Sequence, residues 1–207
     1  MVDSVNTATI VRSPFDGYPL GVRADRSGAV GVKINTGTLQ SVTQISTWAS
    51  GIPALLSAIG SAFGTAPARP GMAIDTALGF LMRTGPEEFL LIGSARDGCN
   101  DMTTELRRAV GAHVGSVTDL SHARCYIHIE GPQCRSALGK LFALDLREST
   151  FPIGEIRLTG THHVPCILHR LGADAFNMLV YSTYAYDQLA TVMDAALEYG
   201  VALKAIA

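Results

Sequence analysis

From Arg124 to Glu130 the chain alternates strictly, with Cys125, Ile127 and Ile129 on one side and Tyr126, His128 and Glu130 on the other. A period of two is the mark of a half-buried β-strand. Val30, Val32 and Ile34 alternate in the same way against Gly31, Lys33 and Asn35, as do Ile156 and Leu158 against Arg157 and Thr159. The apolar runs ALGFLMR and FLLIG flank the turn sequence TGPEE, and VPCILHR and AFNMLVY flank residues 171–174; each pair predicts a hairpin. The stretch LQSVTQISTW reads as a strand by its Thr, Val and Ile content. Its spacing of Leu39, Val42, Ile45 and Trp48 leaves a helix open.

Four segments carry the helical period. In GIPALLSAIGSAFG, Pro53 suits a first turn, Leu55, Ile59, Ala62 and Phe63 form a stripe, and Gly64 closes the end. NDMTTELRRAVG predicts a helix capped by Asn100 or Asp101, with Met102, Leu106, Ala109 and Val110 inward and Gly111 as its stop. GPQCRSALGKLF predicts a third, with Leu138, Leu141 and Phe142 inward. The last runs through STYAYDQLATVMDAALEYG, capped by Ser182 or Thr183, with a stripe of Leu189, Val192, Met193, Ala196 and Leu197, and ends at Gly200.

These elements occur twice in the same order. SAIGSAF at 57–63 is echoed by SALGKLF at 136–142, 79 positions later. TGPEEFLLI is echoed by LGADAFNMLV, where Gly85 and Phe89 answer Gly172 and Phe176 at a separation of 87. The eight extra positions fall around LREST-FPIG, which reads as a loop insertion. The expected fold class is therefore α+β: an internally duplicated strand-helix-hairpin-helix unit with mostly antiparallel sheets. One compact domain of residues 1–207 is expected, with an N-terminal arm and strand at 1–37, a first pseudo-repeat at 38–112 and a second at 116–200. Neither half hides its sheet alone, so the exposed faces must meet each other.

Composition narrows the function. The chain has 207 residues, 47% of them hydrophobic, which is enough to bury a core without disulfides or metal. Its net charge of −2 is scattered, so no footprint for nucleic acid or an anionic membrane is visible. No apolar run is long enough for a membrane span, and the start lacks the basic and apolar regions of a signal peptide, so a cytoplasmic protein is expected. Cys99, Cys125, Cys134 and Cys166 include no C-x-x-C pair and are expected to be free thiols.

Reactive side chains are densest in SHARCYIHIEGPQC, where His122, Cys125, His128 and Cys134 resemble a zinc set. Strand geometry argues against one, because Cys125 and His128 point to opposite faces. His162 and His163, adjacent at a strand end, diverge too, and are expected at a core or edge, satisfied by backbone. His128 and Glu130 share a face and make a solvated pair. Asp119, Ser121 and His122 have triad letters at the wrong spacing. Glu87 and Glu88 read as solvated turn residues, and Asp145, Arg147 and Glu148 as surface charge. Trp48, Tyr181, Tyr184, Tyr186 and Tyr199 are open to core or partner-facing roles, with Tyr184 off its helix's stripe. There is no glycine-rich phosphate or dinucleotide loop. No catalytic, cofactor-binding or metal-binding residue is assigned in this chain.

One set of motifs carries a resemblance. Asp119-Leu120-Ser121 with Ala123-Arg124, Gly131-Pro132, Leu138, Asp145-Leu146, Phe151-Pro152 with Gly154, Thr159, and Asp194-Ala195-Ala196 with Glu198-Tyr199-Gly200 follow in order. Over about 117–200 this pattern resembles the gamma subunits of heterotetrameric sarcosine oxidases. Gly85-Pro86-Glu87-Glu88-Phe89-Leu90-Leu91 resembles them more loosely. The resemblance implies a non-catalytic structural subunit with large alpha and beta partners and a small delta partner. The complex would demethylate sarcosine oxidatively to glycine, with hydrogen peroxide and a folate-linked one-carbon unit. FAD, FMN, NAD and tetrahydrofolate would belong to the partner subunits. It also implies a fold like the folate-binding domain of aminomethyltransferase, so the alternative is a stand-alone folate-binding or aminomethyltransferase-like protein. The Lys-Gly-Cys-x-Gly-Gln signature of the tRNA-modifying relatives is absent.

Overall fold

The computed structural model describes residues 13–38, 41–93, 104, 106–108 and 115–205. Among the described residues twelve strands form two sheets. The first four are β1 (Gly21–Arg23), β2 (Val32–Thr38), β3 (Ser41–Thr47) and β4 (Ala73–Thr76), and β5 (Gly79–Arg83), β6 (Glu88–Gly93), β7 (Gly115–Asp119) and β8 (Arg124–Glu130) follow. The last four are β9 (Ile156–Thr161), β10 (Val164–Gly172), β11 (Ala175–Tyr181) and β12 (Val201–Ala205). The smaller sheet runs β4-β5-β6-β3-β7. The larger runs β9-β10-β11-β8-β2-β12-β1. All neighbours are antiparallel except β12 and β2.

The two sheets repeat one topology. Strands β4, β5, β6 and β3 lie in the same order as β9, β10, β11 and β8, and β7 and β12 follow on the same side. In the larger sheet β2 is inserted before β12. The strand expected from the alternation of Val32 and Ile34 is thus an interior one, with both side chains fully buried.

Helix α1 (Ile52–Phe63) follows β3, and helix α2 (Cys134–Gly139) follows β8. Helix α3 (Ala185–Ala196) precedes β12. Gly64 closes α1 at φ 80°, as its position predicts, although Ala62 is exposed. Of the helix expected over 100–111, residues 104 and 106–108 are helical, and Asn100, Asp101, Met102, Ala109, Val110 and Gly111 lie outside the described residues. α2 is shorter than its apolar period predicts. Ser182 does not cap α3; it opens a 3-10 turn, and its hydroxyl donates to the His122 carbonyl at 3.0 Å.

Three apolar clusters give a four-layer stack of helix, sheet, sheet and helix. Leu138, Leu189 and Val192 pack with Ile127, Ile129 and Phe176 on the outer face of the larger sheet. Leu55 and Ile59 pack with Ile45, Phe89 and Leu106 on the outer face of the smaller sheet. Between the sheets, Val42, Met82, Leu90 and Ile92 meet Ile156, Ile167 and Leu179. Each sheet is amphipathic only on its own; stacking removes the second face from water, which is the largest favourable term available to such a chain. Strand β3 is buried on both faces, Val42 inward and Ile45 outward, which is why its residues carry no clean alternation.

Candidate functional site

Two features bring polar groups together, one in the seam between the sheets and one on their outer faces. On the inner face of the larger sheet, register aligns Asn35 of β2, His128 of β8, Asn177 of β11 and His169 of β10 in one row. Cross-strand neighbours on one face stand close enough to interact. His128 Nδ1 donates to Asn177 Oδ1 at 2.7 Å, and its Nε2 stands 3.5 Å from Glu130 Oε2. The row opens on a cavity of about 480 Å³, whose other wall is Phe80, Met82 and Ile92 of the smaller sheet. His169, 2% exposed, meets the edge of Phe80 with ring centroids 5.0 Å apart. Burial pushes its pKa down to about 4, against the pull of the Asp75 carboxylate, so the ring is neutral at pH 7.

The second feature is a pair of buried arginines. Arg170, 1% exposed, donates from Nε to the Gly172 carbonyl and from its terminal nitrogens to the carbonyls of Leu146, Phe151 and Ala173. Arg83 donates to the carbonyls of Pro67, Ala68 and Pro86. Each guanidinium also faces a phenylalanine, Phe176 at 5.4 Å and Phe89 at 5.3 Å. Residue type alone places arginine on the surface, so both were missed. The available signal was their separation of 87, the same as that of Phe89 from Phe176.

The zinc set does not converge. Cys125 lies in the outer core and His128 on the inner face, and among the described residues no three of His, Cys, Asp and Glu stand close enough to hold a metal ion. Burial raises the thiols of Cys125 and Cys166 to about 12 and that of Cys134 to about 11, so all three are protonated. Cys99 lies outside the described residues.

His162 and His163 are not at a core or an edge. They form the exposed two-residue turn between β9 and β10, with φ of 47° and 67°, the geometry that fits the twist of a tight hairpin. Asp119 accepts from the amide and hydroxyl of Ser121, whose oxygen accepts the Val42 amide; the triad letters are a turn that ends β7. Those bonds from Ser121 hold the Asp119 carboxyl below its usual pKa.

Glu88 is not a solvated turn residue. It opens β6 half-buried, and its carboxylate accepts from Gln44 Nε2 and Thr84 Oγ1, each at 2.6 Å. Asp145 and Arg147 pair with each other. Trp48 is 70% exposed and Tyr184 49%, and Tyr186 meets Tyr18 at a tilt with centroids 4.9 Å apart. Tyr181 and Tyr199 each carry a cation, Arg124 and Lys140.

Comparison with known proteins places this architecture. The profile of the sarcosine oxidase, gamma subunit family matches residues 50–198. The chain belongs to the sarcosine oxidase gamma subunit family. A gamma subunit from Corynebacterium sp. strain U-96 is 29% identical over 118 residues, 57% of this chain and 56% of that protein. One from Corynebacterium sp. strain P-1 is 28% identical over 150 residues, 72% of this chain and 71% of that one. Among solved structures, a chain of the heterotetrameric sarcosine oxidase from Corynebacterium sp. U-96 superposes with a TM-score of 0.71 at 24% identity, covering 81% of this chain and 85% of that one. Aminomethyltransferase T of the glycine cleavage system from Bartonella henselae gives 0.61 at 13% identity, covering 86% of this chain and 48% of that one. Both likenesses are of fold. The family match takes in Arg83, Glu88, Arg124, His128, His169, Arg170 and Asn177; Asn35 and the strands β1, β2, β3 and β12 lie outside it. Among the described residues of this gamma-subunit family member, no helix is long and apolar enough to cross a membrane.

Proposed function

We propose that this chain is a non-catalytic structural gamma subunit of a heterotetrameric sarcosine oxidase-type flavoenzyme. Its partners are large alpha and beta subunits and a small delta subunit. The complex demethylates sarcosine oxidatively to glycine, with hydrogen peroxide and a folate-linked one-carbon unit as the other products. FAD, FMN, NAD and tetrahydrofolate belong to the partners, and the complex works in the cytoplasm. The observation that carries this reading is the family match over residues 50–198. The site chemistry favours it, since three thiols are held protonated and the buried histidine is neutral, which makes them poor nucleophiles and acids at pH 7.

Co-expression with the three partner subunits tests it. A tagged copy of this chain should retain all three through purification, and omitting it should cost the complex its oxidase activity with sarcosine. Full activity and intact assembly without this chain would overturn the proposal. The aminomethyltransferase-like fold favours a second reading, a stand-alone folate-binding protein. Micromolar binding of tetrahydrofolate by the isolated chain would favour that one.

A further inference from the structure

Opposite the row of His128 and Asn177, the seam between the sheets opens into a second cleft of about 700 Å³. Its apolar lining is buried Leu90 from the smaller sheet and, from the larger, buried Ile167 with exposed Leu158 and Pro165. Two charged side chains line it, Arg124 at the start of β8 and Glu88 at the start of β6.

Among the described residues neither charge is paired with an opposite one. The Arg124 guanidinium lies flat on Tyr181, 3.6 Å from the ring centroid, and its buried Nε has no hydrogen-bond partner. Among the described residues no carboxylate stands within ion-pair distance of it, Glu88 included. Glu88 is held by two neutral groups, Gln44 and Thr84, and by no cation. A stacked guanidinium presents its N–H edge in a fixed plane, the arrangement that grips a carboxylate with two parallel hydrogen bonds. A carboxylate aimed by an amide and a hydroxyl is set to accept from an ammonium. Leaving a positive and a negative group in one partly desolvated cleft, apart and uncompensated, costs free energy that a ligand with the opposite pair returns.

We propose that this cleft binds a small zwitterion, an amino acid or short peptide. Its carboxylate sits on Arg124, its ammonium on Glu88, and its apolar side chain on Leu90, Leu158 and Ile167. The proposal does not rest on the proposed assembly, and binding by the full chain tests it without partners.

Calorimetric titration of the full 207-residue chain is the experiment. The probes are N-methylglycine, L-leucine, L-phenylalanine and the dipeptide L-alanyl-L-leucine, with 4-methylpentanoate and 3-methylbutylamine as the two halves of leucine. At least one zwitterion should bind saturably at one site, and each half-molecule about tenfold or more weakly than leucine. Preference between leucine and the dipeptide tells free amino acid from peptide. Arg124→Gln and Glu88→Gln should each weaken the best probe about tenfold or more, with thermal melts confirming that both variants fold. The half-molecule comparison needs no variant and decides the matter if either fails to fold. Silence from all four zwitterions, equal binding of a half-molecule, or binding indifferent to both substitutions would overturn the proposal.

Discussion

The two halves hold their hairpins with the same arginine and to different degrees. Arg83 and Arg170 lie at or near the end of the second strand of equivalent units, and each reaches across to backbone carbonyls of the preceding loop and of its own hairpin turn. Arg170 is sealed. All its nitrogens donate, at 2.8 to 3.0 Å, and the longer loop over Leu146 and Phe151 closes on it. Arg83 makes contacts of 2.9 to 3.4 Å, and its Nε has no partner. The eight residues by which the second half is longer are thus not slack. They supply the carbonyls that satisfy a fully buried cation. The comparison teaches that an inserted loop in a duplicated unit is retained where it completes a polar network, because a half-satisfied buried network is the costly state.

Removing the sealed arginine should give the largest effect. Arg170→Met leaves the buried carbonyls of Leu146 and Phe151 without a donor. The expected loss is about 4 kcal/mol in urea unfolding, against about 2 kcal/mol for Arg83→Met. Equal losses, or a larger one at Arg83, would break the contrast between the halves.

The next effect turns on another equivalent pair. At the separation of 87, His169 answers Met82, and both are buried in the seam. Folding depresses the histidine from its usual 6.5 to about 4. Between those values the unfolded chain binds the proton and the folded chain does not, so stability falls as pH drops through this window and levels off below it. The loss is roughly 3 kcal/mol. His169→Met makes the second half match the first and should flatten the profile between pH 6.5 and 4 while changing little at pH 8. Identical profiles for the two proteins, measured by urea unfolding across that window, would show that the ring titrates normally. The depressed carboxyls of Glu155 and Asp119 act lower, in the range where carboxylates protonate.

Much of the frame was legible in the residues, and the gaps have physical causes. Alternation at Cys125, Ile127 and Ile129 shows because one face of β8 meets helices and the other a cavity. At β3 both faces are dry, so Val42 and Ile45 mimicked a helical spacing. β7 was lost because GSVTD is polar and half exposed at a sheet edge, and β12 because five residues beyond a long helix offer too few periods. The pairings of Arg124 with Tyr181, and of Glu88 with Gln44, depend on register between strands distant in sequence, which no local pattern encodes. His162 and His163 occupy positive φ that usually selects Asn or Gly, so the tight turn carried no turn signature.

A smaller effect sits where the larger sheet gains strands that the smaller one lacks. Gly200, at φ 69°, leads into β12, and a Cβ there would stand 2.0 Å from the Ala29 carbonyl oxygen. Gly200→Ala should cost about 2–3 kcal/mol, read as a loss of thermal stability. A neutral result would show that β1, β2 and β12 shift freely against the rest of the sheet.

The smallest native signal, and the sharpest test of whether the halves open together, comes from the thiols. Cys125, Cys134 and Cys166 are the described cysteines, and all three are buried in the second half. With thiols raised to about 11 or 12, the thiolate at pH 8 is scarce, and modification by a disulfide reagent must wait for opening. In a Cys99→Ser background the folded chain should react about a thousandfold slower than in urea. If the halves are separate cooperative units, Arg170→Met exposes these thiols at denaturant concentrations where Arg83→Met leaves them protected. If the sheet-on-sheet core of Val42, Leu90, Ile167 and Leu179 couples the halves, both variants expose the thiols in proportion to their loss of global stability. The second outcome is expected, because neither sheet keeps a buried inner face once the other has gone.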